Sequence, residues 1–118
     1  MDLSKIVALV KERKLTGGSA MPQNSTAFLS GLADEVEEVA QELSMNRKPH
    51  LEDELGDILW DYLHLLYSLE LEGKVEVSSV IKRCEKKYSE RIQARNSSEE
   101  WQHIKKEQKQ KLDSEAKE

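Results

Sequence analysis

Acidic side chains recur at helical spacing in two neighbouring segments of the sequence. Glu35 and Glu38 are three residues apart in the first segment, and Glu54 and Asp57 are three apart in the second. At about 100° per residue, each pair lies on one flank of an apolar helical stripe, and the two flanks match in phase. If the two helices form an antiparallel hairpin, the four carboxylates can converge.

Four converging carboxylates repel one another and are costly to remove from water. A hard divalent cation offsets that repulsion, and oxygen-only ligands suit Mg²⁺, with Mn²⁺ as a substitute. Coordination positions then stay open for water or phosphate oxygens. The pattern therefore predicts a metal site. Acidic residues at this spacing are also common on the solvated face of ordinary helices, so that interpretation stays open.

Two cations lie one helical turn apart further along the chain, at Lys87 and Arg91. Helical phase places both on one flank of an amphipathic segment, where they suit a phosphate chain. The alternative is an ordinary solvated pair beside Glu85 and Glu90, which contributes little to stability.

Apolar residues recur at helical spacing in four segments, which predicts four helices. Asn24 and Ser25 are both able to cap the second helix, and Gly73 ends the third. The first expected helix ends near residue 14, and the second runs from about 25 to 45. The third follows the short link 46–50, and the fourth covers 77–92. Because the link between the second and third helices is short, they are expected to be antiparallel neighbours.

The C-terminal part changes composition after the fourth helix. Ser97 and Glu100 form a capping box that opens a short helix through Trp101. From Lys105 onward the residues are almost all polar or charged, which favours a frayed or extended tail. We therefore predict one all-α domain, similar to a four-helix bundle with a short extra C-terminal helix, over residues 1–105, and a charged tail over residues 106–118.

Composition narrows the function classes further. The chain has 118 residues, a net charge of −5 and only 2 Pro and 5 Gly, which allows a single domain and disfavours an all-β fold. The acidic balance argues against a nucleic acid polymer as partner. No signal peptide or apolar run of membrane-spanning length is apparent. A single cysteine, Cys84, fits a cytoplasmic location. The modest apolar content, 37%, favours a homo-oligomer.

The acidic segments 32–39 and 52–59 resemble the EExxE and ExxD signatures of the MazG-like, all-α nucleoside triphosphate pyrophosphohydrolases. Asp34 stands where the family has the first Glu of its signature. The resemblance implies Mg²⁺-dependent cleavage between the α- and β-phosphates, giving a nucleoside monophosphate and pyrophosphate, as in nucleotide-pool house-cleaning. It also implies four metal ligands: Glu35, Glu38, Glu54 and Asp57. Glu38 or Glu35 is the candidate catalytic base.

Two basic motifs extend the resemblance to about residue 105. Residues 87–91 are similar to the family's KFxxR motif, and residues 101–105 are similar to its WxxxK element. The implied nucleotide-binding residues are Lys87, Arg91, Trp101 and Lys105. Members of this family form dimers and tetramers, which agrees with the oligomer expected from composition. The motifs leave the preferred base and sugar open.

Two alternatives come from other functional classes. A di-iron carboxylate bundle uses inward-facing acids and histidines, and Asp61 and His64 have suitable spacing, but such a site needs a pair of this kind on two helices. His64 is otherwise interpreted as a surface or interface histidine. The other alternative is a non-enzymatic helical interaction module whose acids are merely solvated.

Overall fold

Five α-helices account for nearly all of residues 2–16, 24–93 and 98–117, the part of the chain that the computed structural model describes. No strand is present in these ranges. In chain order the helices are α1 (Ser4–Thr16), α2 (Ser25–Leu43), α3 (Lys48–Leu71), α4 (Val77–Gln93) and α5 (Ser98–Ala116). The all-α fold class is confirmed. Among these helices none has a stretch long and nonpolar enough to cross a bilayer.

The chain divides into two compact units. The first, Met1–Val77, holds α1, α2 and α3, and the second, Ser78–Glu118, holds α4 and α5. The predicted single domain over residues 1–105 stays a prediction. The helix α5 is longer than the short helix expected there, and it includes most of the segment predicted as a tail. Lys, Gln and Glu are good helix formers, so a polar composition does not by itself prevent a helix.

The helices α2 and α3 form an antiparallel hairpin whose two ends are held by charged hydrogen bonds. At the open end, the Glu72 carboxylate accepts hydrogen bonds from the backbone N and the Oγ of Ser25, at 2.9 and 2.8 Å. At the turn, the Arg47 guanidinium donates two hydrogen bonds of 2.8 Å to Glu42. Because the start of α2 contacts the end of α3, the predicted antiparallel arrangement is confirmed.

Local signals in the sequence set the helix ends. The Asn24 side chain accepts a hydrogen bond from the Ala27 backbone N at 2.8 Å, so the predicted N-cap of α2 is confirmed. Gly73 ends α3 with a φ of 75°, and the Lys74 backbone N donates to the Leu69 carbonyl at 2.9 Å. The capping box predicted at Ser97 lies outside the described residues.

The buried side chains of the first unit include polar groups. Val10, Leu63 and Leu66 are buried apolar residues, but Ser68 and His64 are also only 1% exposed. Of the two interpretations of His64, the surface position was therefore wrong, and the interface position stays a prediction. Helical phase places His64 on the polar flank of α3, and phase alone does not show that this flank faces α2.

Aromatic rings enclose His64. The ring centroids of Phe28 and Trp60 lie 4.8 and 4.4 Å from its centroid. Its Nδ1 lies 3.0 Å from the Trp60 carbonyl oxygen, while Nε2 has no hydrogen-bond partner among the described residues. This environment favours the neutral imidazole, with Nδ1–H donating to the carbonyl.

The apolar stripe of α2 only partly faces α3. Leu29, Val36 and Leu43, spaced seven residues apart, are 57%, 54% and 62% exposed. Half-buried Glu35 instead lies toward α3. The helix is thus rotated relative to the orientation that its apolar stripe predicts, and the acidic flank enters the hairpin interface.

The burial of His64 predicts a pH-dependent stability. Burial, and to a lesser degree the nearby charges of Lys14 and Arg13, lower its pKa below the usual 6.5, against opposing effects of the Trp60 carbonyl and Asp61. The unfolded chain therefore binds the proton more readily, and this contribution to folding stability is lost as the pH falls below 6.5.

We expect the stability advantage of the wild type over His64→Gln to shrink between pH 7.5 and pH 5.5. Urea denaturation of both proteins at each pH measures it. Parallel pH profiles of the two proteins contradict the prediction. Subtracting one free energy of unfolding from the other at each pH removes the contribution of the titrating groups that both proteins share.

Candidate metal site

Five carboxylates from α2 and α3 form two overlapping groups, which we call the acidic cluster. In the first group, one carboxylate oxygen from each of Glu35, Glu38 and Glu54 lies within 4.8 Å of the others. In the second, the same holds for Asp53, Glu54 and Asp57. The convergence of two helices on Glu54 is the geometry that the matched phases predict, and Glu54 links the two groups.

Two oxygens of the acidic cluster are buried without a partner. Among the described residues, neither Glu35 Oε2 nor Glu54 Oε2 has a hydrogen-bond donor, and both atoms are inaccessible to water. A buried carboxylate oxygen without a donor is costly, because it has lost its hydration and gained nothing in return. A hard divalent cation supplies the missing interaction, so the donor set fits Mg²⁺ or Mn²⁺.

The titration of Glu35 reflects the same crowding. Burial, followed by the adjacent carboxyls of Glu38 and Glu54 and the charge of Asp57, raises the pKa of Glu35 from 4.5 to about 7. Burial and the nearby Glu38 also raise the pKa of Glu54. The acidic cluster therefore holds a proton at a pH where isolated carboxyls are ionised, and a cation can replace that proton.

The polar flank of α3 continues beyond the acidic cluster. Asp61 is half-buried, and a Cβ added at Gly31 of α2 would lie 3.6 Å from its Oδ2, so Asp61 faces α2. Burial, then the charge of Asp57, raises the pKa of Asp61. The acidic face of α3 thus extends along the hairpin toward buried His64.

The opposite end of the acidic flank is neutralised within the protein. Glu42 has the same helical phase as Glu35 and Glu38, but the bidentate contact with Arg47 satisfies it. Hydrogen bonds from that guanidinium lower the pKa of Glu42. No such cation is paired with Glu35, Glu38 or Glu54 within the described ranges. Within these ranges the acidic cluster therefore has no protein cation that neutralises it.

The four metal ligands predicted from the sequence did not include Asp53. Asp53 lies four residues before Asp57, so the two are neighbours on one helix face, and this spacing was available in the sequence. His64 belongs to neither group of the acidic cluster, which leaves the di-iron alternative without a histidine among the described residues that form it.

The predicted nucleotide-binding residues belong to the second unit. The Arg91 guanidinium lies 6.0 Å from the Trp101 ring centroid and 5.3 Å from that of Tyr88, and its Nε donates to Gln108 Oε1 at 2.9 Å. Lys87 lies 5.8 Å from the same Tyr88 ring. Lys87, Arg91 and Lys105 line one groove between α4 and α5.

Tyr88 and Gln108 were not predicted as site residues. Tyr88 occupies the place of the Phe in the KFxxR motif, so the motif could have indicated it. Gln108 lies in the segment expected to be extended, and only a helical α5 brings it to Arg91.

The comparison with protein families agrees with this geometry. The family model described as the MazG nucleotide pyrophosphohydrolase domain matches residues 23–96, more than half of the chain. The whole acidic cluster lies in this range, as do Lys87 and Arg91, whereas Trp101 and Lys105 follow it. No curated protein and no solved structure gives a significant match to the chain. A domain match of this extent, on a helical chain with converging carboxylates, shows that the chain belongs to the MazG nucleotide pyrophosphohydrolase family.

Proposed function

We propose that the protein is a divalent-metal-dependent nucleoside triphosphate pyrophosphohydrolase. It cleaves ribo- or deoxyribonucleoside triphosphates between the α- and β-phosphates, releasing the monophosphate and pyrophosphate, and serves nucleotide-pool house-cleaning. The observation that carries the proposal is the convergence of Glu35, Glu38 and Glu54 within 4.8 Å, with two of their oxygens buried and unpartnered. The family to which the chain belongs supports the substrate class.

The acidic cluster is the proposed site for Mg²⁺, which Mn²⁺ can replace. Glu35, Glu38, Glu54 and Asp57 are the proposed ligands. An ion held there would supply Lewis-acid chemistry at the α-phosphate and charge neutralisation of the leaving pyrophosphate. Glu38 or Glu35 accepts the proton of the attacking water.

Four residues of the second unit are the proposed nucleotide-binding residues. Lys87, Arg91 and Lys105 neutralise the β- and γ-phosphates, and Trp101 stacks on the base. Gln108 orients the Arg91 guanidinium through its Oε1. Nucleoside triphosphates are the partners in this proposal, without a nucleic acid polymer or a membrane. A cytoplasmic location, based on the single cysteine, belongs to it as well.

A homo-oligomer, a dimer or a tetramer, is the second part of the proposal. The exposed residues Leu29, Val36 and Leu43 form one stripe along α2, and Leu55 and Tyr62 are exposed on α3. Full burial of one such aliphatic side chain contributes about 1.5–3 kcal/mol, so a second copy gains substantially by covering the α2 stripe.

Carboxylate removal tests the hydrolase activity. We expect Glu38→Gln and Asp57→Asn each to lower turnover at least about a hundredfold, because each removes an anionic ligand from the metal site. Pyrophosphate release from a panel of nucleoside triphosphates in Mg²⁺ measures turnover. Glu37→Gln is the matched control, because Glu37 is exposed on α2 outside the acidic cluster and should keep wild-type turnover.

Circular dichroism should show unchanged helix content in all three variants. Wild-type turnover in both ligand variants, or full turnover of the wild type in EDTA, disproves the metal site. If no divalent ion affects the melting temperature either, the non-enzymatic interaction module becomes the better interpretation.

The raised pKa of Glu35 predicts how stability and metal binding depend on pH. Without metal, the folded protein binds the Glu35 proton more tightly than the unfolded chain, so this contribution to stability falls as the pH rises from 4.5 to about 7. The Glu35→Gln variant should lack this pH-dependent contribution to stability. Urea denaturation in EDTA at pH 5 and pH 7.5, compared between wild type and variant, measures it.

Calorimetric titration with Mn²⁺ tests whether the ion competes with the Glu35 proton. Because a cation replaces the proton, wild-type affinity should rise with pH up to about 7 and then level off. An affinity independent of pH between 5 and 7 rules out competition between the ion and this proton.

Light scattering tests the oligomer. The wild type should be a dimer or tetramer at micromolar concentration, and Val36→Glu should shift it toward the monomer, because a charge enters the apolar stripe. Ser30→Glu is the matched control, because it adds the same charge at an exposed position on another face of α2. A monomeric wild type, or equal dissociation of both variants, contradicts the proposed interface.

A further inference from the structure

The apolar residues of α4 lie on one side of the helix and are exposed. Ile81, Cys84 and Tyr88 follow one another at intervals of three and four residues, and Ile92 comes four residues later. At about 100° per residue, these four positions lie within about 80° of one another, and we call them the α4 face. Ile81, Tyr88 and Ile92 are 50%, 45% and 68% exposed, and Cys84 is exposed as well. The helix therefore presents an apolar surface to its surroundings.

The described part of the second unit has no core that covers the α4 face. Among residues 78–93 and 98–117, none is buried. In the same ranges no Cα of α4 lies within 8 Å of a Cα of α5, and polar side chains join the two helices, as between Arg83 and Glu115 at 3.0 Å. A helix in water gains most of its stability from packing of its apolar side. The α4 face therefore requires a partner.

A second uncovered apolar surface lies on α2. The α2 stripe of Leu29, Val36 and Leu43 repeats every seven residues and is more than half exposed at each position. It extends over about 21 Å of helix, and the α4 face extends over about 17 Å. Ile81 and Tyr88 have the same spacing of seven residues, at which paired helices contact each other repeatedly. The two surfaces thus agree in length and in spacing.

The charges of the two helices are opposite. The helix α2 contains five acids and no Lys or Arg, a net charge of −5. The helix α4 contains five cations and two acids, a net charge of +3. Charges that flank an apolar seam between two helices determine which helices pair, because opposite charges attract and like charges repel.

These charges indicate which surface covers the α2 stripe. Two copies of α2 packed against each other bring only acids together, so repulsion opposes that contact. Two copies of α4 bring an excess of cations together in the same way. Packing of α4 on α2 buries the same kind of apolar side chain and places Lys and Arg beside Asp and Glu. Charge complementarity therefore favours the unlike pair.

We propose that the α4 face docks on the α2 stripe of a second copy of this chain. Each copy carries one surface of each kind, so a twofold axis makes two identical contacts between α4 and α2 at once. Such a dimer is closed, because neither copy keeps an uncovered α4 face or α2 stripe. The inference rests on the proposed homo-oligomer and adds which surfaces meet in it.

Cross-linking between copies tests this contact through Cys84, the only cysteine of the chain. Wild type is mixed with isotope-labelled C84S/V36C, so that each protein carries one thiol, and the mixture is unfolded in urea and refolded together. A short bismaleimide then links thiols that lie close together. Mass spectrometry should find a dimer of one labelled and one unlabelled chain as the main product.

Controls address position and register on α2. C84S/L29C and C84S/L43C place the thiol at the two ends of the α2 stripe, so the register of the two helices is not assumed. C84S/S30C is the matched control, because Ser30 is exposed on another face of α2, and it should give at least about fivefold less mixed dimer.

The labelling identifies the contacts that overturn the inference. A main product of two unlabelled chains places α4 against α4, and one of two labelled chains places α2 against α2; either result overturns it. If light scattering reports an oligomer and no stripe position gives the mixed dimer, the inference fails and the proposed oligomer stands. A monomeric wild type overturns both.

A substitution on α4 provides a second measurement. Ile92→Glu should raise the dissociation constant of the dimer at least about tenfold, because its charge enters the contact and meets the acids of α2. Ile92 is 68% exposed, so circular dichroism should show unchanged helix content. Gln93→Glu is the matched control, because it adds the same charge at an exposed position about 100° further around α4, and its dissociation constant should stay within about twofold of the wild type.

Analytical ultracentrifugation of the wild type and both variants measures the dissociation constants. Equal weakening in the two variants, or none in either, overturns the inference. A helix with an apolar face and flanking cations also suits an anionic membrane surface. If Ile92→Glu abolishes binding to phosphatidylserine vesicles and leaves the dimer intact, the α4 face binds lipid, and the inference is overturned in favour of a membrane.

Discussion

The repulsion among carboxylates between α2 and α3 is the constraint on which the first unit depends. Most helix hairpins place apolar residues at this position, but here Glu35 and Glu54 lie there with buried, unpartnered oxygens. The two ends of the hairpin oppose the repulsion: Glu72 binds the start of α2, and Arg47 binds Glu42 at the turn. Because both ends are held, the carboxylates cannot separate freely, and a proton or a cation is the remaining way to relieve the repulsion.

The polar interface also explains where the apolar residues lie. Along α3, the residues that follow Glu54 at helical spacing are Asp57, Asp61, His64 and Ser68, and the last two are buried. The apolar stripe of α2 therefore cannot point fully toward α3, and part of it faces outward. The rotation that brings acids into the hairpin thus leaves aliphatic side chains exposed along α2.

Periodicity predicted what a single helix determines and missed what depends on its neighbour. The all-α class, the Asn24 cap and the shared phase of Glu35 and Glu54 follow from local spacing. The burial of His64 and the exposure of Val36 do not, because residues on one face carry no information about which element that face meets. Polar composition misled the prediction for α5, since helix propensity and solvation are separate properties.

Charge is separated along the chain. Residues 1–77 carry 7 Lys and Arg against 15 Asp and Glu, a net charge of −8, whereas residues 78–118 carry 11 against 8, a net charge of +3. A phosphate group is therefore repelled by the acidic cluster of the first unit and attracted by the cations of the second. In the proposed function the carboxylates act through a bound cation, whereas Lys87, Arg91 and Lys105 contact phosphates directly. A chelator acts on the first interaction, and added salt screens the second, whose lysines are exposed on α4 and α5.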